Sequence, residues 1–253
     1  MGDRQEGRRP CVVVTGGSGR VATLLRAGLG GSFDLRLVDC RPGEDVLVGD
    51  LADPEFATEA VSEADAIVHL AGHASPDASW DILRTVNVDL SVTMFEAARR
   101  AGVATFVYAS SIHASGGYDL DGIVPVRTSW PPRPCCMYGA SKAAVEAIGS
   151  HYADAYDIAV TCLRLGWTRP RPHLPRALVE WLSPGDLGRL VAAALRSDQR
   201  FGVYYGVSAN TRGRRDLDTA RREIGYAPAD DAEDYVHEID FAAVDSSLCR
   251  RGL

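Results

Sequence analysis

A short apolar run, Cys11–Thr15, passes without a break into Thr15-Gly16-Gly17-Ser18-Gly19-Arg20-Val21-Ala22. Four β-branched residues in a row suit a buried strand. The glycines at 16 and 19, with Ala22 three further on, suit a tight turn that feeds a helix. Glycine lets the backbone approach a pyrophosphate, and the amino end of a helix favours the negative charge. A glycine-rich turn alone is weak evidence, because ordinary strand-to-helix turns have it too. Here the strand before and the helix after supply the context that dinucleotide binding requires. Gly16, Gly19, Arg20 and Val21 are the candidate contacts.

The rest of the chain repeats the same grammar. Short apolar runs at 11–15, 35–38, 46–48, 66–70, 105–109, 159–163 and 203–206 alternate with amphipathic stretches. That is the signature of βαβ units and a parallel sheet covered on both faces. Helical spacing covers 82–100, ending at Gly102, and the Ala-rich stretch 141–156. Ser183-Pro184-Gly185-Asp186 opens another helix with a capping serine, a first-turn proline and an acidic residue three after the cap. Segments 116–133 and 168–175 are the least regular, with prolines at 125, 131 and 132 in the first. The expected fold is α/β, a Rossmann-like doubly wound parallel sheet with a small C-terminal substrate-binding part. Residues 1–10 read as a disordered lead-in and not a signal peptide. Residues 11–165 read as the NAD-binding domain with the catalytic residues, and 166–253 as the substrate-binding part of the same domain.

Composition narrows the function classes. With 46% hydrophobic and 24% charged residues, the 253-residue chain is of globular type, not disordered, collagenous or coiled-coil. A formal net charge of −7 gives no electrostatic reason to expect nucleic acid or an anionic membrane as partner. Apolar runs stay short of the roughly 18 residues that a membrane helix needs. The six cysteines form no C-x-x-C pair. Cys11 and Cys162 read as packed thiols, and adjacent Cys135 and Cys136 as poorly placed to share a metal, so no metal site is expected. Reduced cysteines fit the cytoplasm.

Acidic residues after the strands refine the cofactor. Asp39 ends the second strand, where a carboxylate accepts hydrogen bonds from an adenosine ribose and repels a 2′-phosphate. That favours NAD over NADP, with Arg41 close enough to soften the preference. Asp50 and Leu51 follow the third strand. Asp50 is either a helix cap or a contact to the adenine amino group. Leu70-Ala71-Gly72 follows the fourth strand, and small residues there let backbone lie along a dinucleotide. His69 reads as a satisfied core residue, whereas His73, just outside the strand, could face the site.

Among 27 basic side chains Lys142 is the one lysine. It lies four residues after Tyr138, so the two share a helix face. A tyrosine hydroxyl, with an ordinary pKa near 10, is a poor base at neutral pH. A neighbouring ammonium stabilises the phenolate and lowers that value. Ser110-Ser111 ends the fifth strand, where Ser111 can hydrogen-bond a substrate oxygen and Ala109 can touch the cofactor. Asn87, inside the long helix after the fourth strand, can hold a water beside Lys142 or serve as a buried structural amide.

Together these residues resemble the extended short-chain dehydrogenase/reductase family over roughly residues 11 to 240. Within it the resemblance is to uronate dehydrogenases, carried by Phe95-Glu96-Ala97-Ala98-Arg99-Arg100-Ala101-Gly102-Val103, Tyr108-Ala109-Ser110-Ser111, Trp181-Leu182-Ser183-Pro184 and Tyr205-Gly206-Val207-Ser208-Ala209-Asn210-Thr211. The resemblance implies NAD-dependent oxidation of a cyclic uronate to a lactone. It assigns catalysis to Ser111, Tyr138 and Lys142, and aligns Arg176 with a carboxylate-clamping arginine. Many relatives pair the helices near 82–100 and 140–156 in a homodimer.

The departures fall in the substrate pocket. The family's Ser-Ser-Asn-His is Ser110-Ser111-Ile112-His113 here, which removes a polar contact at Ile112. Trp167 stands where the family has a small serine, and Arg212-Gly213-Arg214-Arg215 replaces paired tryptophans. The serine expected soon after Gly72 aligns with Ser75. These changes imply a small-molecule substrate less hydroxylated than a uronate, such as a ketone of specialised metabolism. A sugar-nucleotide epimerase or dehydratase would carry a larger C-terminal part. A non-catalytic dinucleotide sensor would commonly lose the tyrosine or the lysine.

Overall fold

The computed structural model describes residues 8–29, 31–243 and 249. The chain runs β1 (Cys11–Thr15), α1 (Arg20–Leu29), β2 (Asp34–Asp39), β3 (Val46–Val48), α2 (Pro54–Ala60), β4 (Ala66–His69) and α3 (Trp80–Leu83). A π-helical turn (Arg84–Asp89) leads into α4 (Leu90–Ala101), followed by β5 (Thr105–Ser111), a 3₁₀ turn (Ile112–Ala114), α5 (Gly116–Leu120) and α6 (Met137–Ala155). Then come β6 (Ala159–Leu165), β7 (Trp167–Thr168), α7 (Ala177–Glu180), β8 (Trp181–Leu182), α8 (Pro184–Leu195), β9 (Phe201–Gly206), α9 (Asp218–Ile224) and a last 3₁₀ stretch (Ala232–Glu238).

Seven strands form one parallel sheet in the order β3-β2-β1-β4-β5-β6-β9. The strand order reverses beside β1, where β2 and β4 flank it. The crevice at that switch point is where doubly wound sheets bind ligands. The side chains of β1 alternate between two cores. Val12 and Val14 join Leu25 and Leu29 of α1 with Leu187, Leu190 and Val191 of α8. Val13 joins Ile67, Phe106, Met94, Phe95 and Val145 on the other face. Phe95 stacks between Phe106 and Tyr152 at centroid distances of 4.2 and 4.9 Å. Its truncation to alanine would cost about 3–5 kcal/mol. α1 and α8 touch through Gly28 and Gly188, where a Cβ on either would lie 2.8 Å from the other's Cα.

The expected class and all seven expected strands are present. β5 and β6 each run two residues further than the apolar runs, because Ser110, Ser111, Arg164 and Leu165 continue the ladder. The small β7–β8 pair was not expected, since two-residue strands carry no periodicity. Ser183 caps α8 by accepting from Asp186 N–H at 2.9 Å. Asp186 itself serves another turn, accepting from Ala229 and Asp230 backbone N–H groups. Of the lead-in, residues 1–7 lie outside the described residues. Residues 8–10 are anchored, contrary to expectation: Arg8 pairs with Asp65, Arg9 with Asp34, and the Pro10 carbonyl accepts from Asp34 N–H. No described helix is long and apolar enough to cross a membrane.

Candidate active site

The glycine-rich turn takes the form its sequence requires. Gly16 has φ +70°, and a Cβ there would lie 2.9 Å from the Ala71 nitrogen. Gly19 N–H closes the turn on the Gly16 carbonyl at 2.8 Å. Asp39 accepts from Ser18 N–H at 3.1 Å and Arg41 N–H at 2.9 Å. Burial works against its charge, but those backbone bonds and Arg41 outweigh it and hold the carboxyl below its ordinary value. It is therefore an anion at neutral pH. Gly16, Gly19, Asp39, Asp50, Leu51 and Ala71 line one cleft of about 570 Å³. Asp50 is exposed and accepts from Ala52 N–H, while the cap of α2 is Asp53. The cleft, the tight glycines and the buried carboxylate fit a dinucleotide's adenosine half and pyrophosphate.

A second cavity, of about 270 Å³, shares Leu70, Gly72 and His73 with the first. Arg20, Val21 and Ala109 line it toward the cofactor side, and Ser111, Tyr138 and Lys142 line its floor. Gly139 brings α6 against the 3₁₀ turn, for a Cβ there would sit 2.2 Å from the His113 carbonyl oxygen. That close approach sets Tyr138 beside Ser111. Burial pushes the Tyr138 hydroxyl up to about 12, opposed by a hydrogen bond with Ser111. Lys142 Nζ donates to the Ala109 carbonyl at 2.8 Å and stands 4.8 and 5.9 Å from the Tyr108 and Tyr138 ring centroids. Burial pulls it down to about 8, with Glu146 partly offsetting. In the chain alone, burial is the largest influence on both groups and favours the neutral form of each.

Asn87 is fully buried in the π-helical turn. Its Oδ1 accepts from His73 N–H at 2.7 Å, and its Nδ2 donates to the His73 carbonyl and to Ser141 Oγ. Asn87 thereby staples the loop after β4 to α6. Supporting it is a chain of buried hydroxyls that sequence reasoning did not connect. Ser91 Oγ donates to the Asn87 carbonyl, so it accepts from His69 Nε2; Nδ1 then accepts from Thr15 Oγ1, which itself accepts from Ala71 N–H. Burial lowers His69 to about 3, so the ring is neutral, the satisfied core residue expected.

The substrate side departs further from expectation. Ser75 does not line the cavity; its hydroxyl accepts from Asp77 N–H, and Ala74 and Pro76 stand at the wall. Ile112, His113, Trp167 and Arg176 do line it. Trp167 is buried, its ring 4.7 Å from that of His173. Arg176 is 8% exposed and pairs with Glu180 at 3.1 Å, so its charge has a partner within the protein.

Two features had no sequence signal strong enough to find them. Below Lys142 the Glu146 carboxylate accepts from Ser110 Oγ at 2.5 Å and from Arg164 Nε and Nη2 at 2.9 and 2.7 Å. Beside the cavity, adjacent Cys135 and Cys136 converge with Cys249 on His113, and the four donor atoms lie within 4.8 Å of one another. The sequence reading weighed the adjacent pair alone, as poorly placed to share a metal. The partners that complete the group lie far off in sequence, His113 and Cys249 being 136 positions apart.

Comparison with known proteins agrees with this geometry. The family described as NAD dependent epimerase/dehydratase matches residues 12–167. An NAD-dependent glucose-6-phosphate dehydrogenase from Haloferax volcanii is 34% identical over 90% of this chain and 96% of that protein. A uronate dehydrogenase from Pseudomonas syringae pv. tomato is 34% identical over 90% of this chain and 85% of that one. The solved structure of a mutated uronate dehydrogenase superposes with a TM-score of 0.84 at 32% identity, covering 93% of this chain and 88% of that chain. With its glycine cradle, buried Asp39 and Ser111–Tyr138–Lys142 floor, the chain belongs to the NAD-dependent epimerase/dehydratase family, as an NAD-dependent oxidoreductase that resembles uronate dehydrogenase.

Proposed function

We propose that this oxidoreductase acts on a ring carbon bearing a hydroxyl or a ketone, in a molecule less hydroxylated than a uronate and flat where it meets Trp167. The observation that carries the reading is the composition of the cavity wall. Ile112 directly follows the serine that orients the oxygen, Trp167 stands on the wall, and the Arg176 charge is already answered by Glu180. A sugar acid would need hydroxyl partners beside the reacting carbon, and the arginine that aligns with a carboxylate clamp already has a carboxylate of its own. An indole face instead favours a planar ring.

NAD supplies the hydride acceptor, or as NADH the donor. This chain's residues do the rest. Ser111 would hydrogen-bond the substrate oxygen. Tyr138 would take the hydroxyl proton when the alcohol is oxidised and return it when the ketone is reduced. Lys142 would stabilise the phenolate and bind the nicotinamide ribose. Asp39 would hold the adenosine ribose. Residues 166–253 would supply the substrate wall, and Ser75 would act only through the turn it braces.

Two substrate classes divide the reading. Uronates follow from the relatives; a ketone of specialised metabolism, such as a keto-nucleoside precursor of an antibiotic, follows from Ile112 and Trp167. The test is NADH formation with glucuronate and galacturonate, against NADH consumption with a purine- or pyrimidine-bearing ketone. Turnover of either uronate at a rate typical of enzymes would sink the second class. Tyr138→Phe should lower turnover about 10²–10⁴-fold while leaving NAD binding unchanged. Retained activity would end the proposed chemistry. The six free thiols favour a reducing, cytoplasmic setting. A homodimer through α4 and α6 is proposed by analogy, and sedimentation decides it.

A further inference from the structure

His113, Cys135, Cys136 and Cys249 stand at the rim of the substrate cavity, where the proposed hydride chemistry gives them no part. The His113 Nδ1 lies 3.4 Å from Cys135 Sγ, 3.5 Å from Cys136 Sγ and 3.1 Å from Cys249 Sγ. All four residues are half-buried, and all three thiols are free. Hydrogen bonding to the imidazole alone cannot account for the convergence. A ring nitrogen offers one lone pair or one proton, so it can serve one sulfur at a time. A disulfide would use two of the three sulfurs and leave the imidazole out. One cation satisfies all four.

We propose that these residues form a closed metal site for a soft divalent cation of zinc's class. Zinc takes thiolate sulfur at about 2.3 Å and imidazole nitrogen at about 2.0–2.1 Å, so the edges of its tetrahedron run about 3.5–3.8 Å. The edges to Cys135 and Cys136, at 3.4 and 3.5 Å, closely fit that range, and the edge to Cys249, at 3.1 Å, would have to open by about 0.4 Å. Three thiolates and one imidazole select zinc over magnesium or calcium, which prefer oxygen. The surrounding backbone makes room for the set. A Cβ at Gly116 would lie 2.6 Å from Cys135 Sγ, and Cys135 N–H is held by the His113 carbonyl at 3.2 Å. Cys136 is the N-cap of α6, its sulfur accepting from Gly139 N–H at 3.4 Å.

Four protein ligands leave no open position, so the role is structural. The site joins three pieces: the turn just after Ser111, the two residues that lie three and two before Tyr138, and the far C-terminal Cys249. Metal on Nδ1 would also fix His113 as the Nε2–H tautomer, a donor only, at the edge of the cavity.

The test reads metal directly and needs neither NAD nor substrate, so its failure is separate from failure of the dehydrogenase reading. Full-length protein, purified under reducing conditions from zinc-supplemented cells, should carry about one zinc per chain by mass spectrometry of the metal. Cobalt(II) exchanged in its place should give the sulfur-to-cobalt charge-transfer and intense visible bands of a tetrahedral thiolate site. Cys249→Ser should lose most of the zinc and shift the cobalt bands, and Cys135→Ser likewise, whereas Cys40→Ser should leave both unchanged. Protein that takes up neither zinc nor cobalt overturns the proposal. So does metal content that survives in both Cys135→Ser and Cys249→Ser, or a Cys135–Cys249 disulfide in the reduced preparation.

Discussion

Two cations are buried along α6, and the net outcome for their charges is opposite. Arg164 lies beneath the helix with its guanidinium bonded twice to Glu146. Burial works against its charge, but Glu146 more than offsets this and holds it above its ordinary value. Lys142, one helical turn before Glu146, has a carbonyl and two aromatic rings for neighbours. Burial there wins, and the ammonium falls to about 8. The difference is the bidentate carboxylate. A fully answered charge is fixed in state and braces the structure. A partly answered one sits near neutrality's edge and can respond to what enters the cavity.

The comparison breaks most sharply at Lys142. Lys142→Met should reduce turnover about 10²–10⁴-fold while the melting temperature holds or rises, because an unfavourable buried charge is gone. Loss of fold together with activity would show that Lys142 is a brace after all. Glu146→Gln should do the reverse, costing about 3–5 kcal/mol by leaving Arg164 uncompensated. Urea denaturation measures it, and a loss under about 1 kcal/mol would mean that the pair is not what holds that layer. Arg164→Lys keeps the charge but offers one point donor in place of a fork, and should cost about 1–3 kcal/mol.

The smallest effect is in pH. Between about 8 and Lys142's ordinary 10.5, the unfolded chain binds more protons at this site than the folded one. The Lys142 contribution to stability therefore rises with pH through that window. Ketone reduction should do the opposite. Tyr138 stays protonated to about 12, so the rate should be level at neutral pH and fall above about 8 as the ammonium is lost. Lys142→Met should abolish the rise in stability. A rate that climbs between pH 8 and 10 would assign the controlling ionisation to another group.

The nucleotide side was legible because its requirements are local. Gly16 and Gly19 lie in one turn, Asp39 ends one strand, and Tyr138 and Lys142 lie one helical turn apart, so spacing along the chain is spacing in space. The substrate side was not. Ser75 looked like a contact because it follows Gly72 closely, yet its hydroxyl serves a backbone turn. Arg176 read as a clamp, although Glu180 four residues on shares its helix face and pairs with it. Glu146 with Arg164, and His113 with Cys249, meet across elements whose approach depends on the whole sheet. Asn87 was half legible: its burial was foreseen, its three partners were not.

The π-helical turn carries one more consequence. Residues 84–89 hold a wider loop than an α-helix, and that extra residue is what lets Asn87 reach His73 and Ser141. Deleting a single position there other than Asn87 would restore ordinary winding; because the wide turn is what absorbs the extra residue, α4 would keep its phase and only the side chains of the turn itself would be re-aimed. Such a chain would keep the Asn87 amide yet aim it elsewhere. At this point the molecule stores information in the length of the chain, not in the chemistry of its letters.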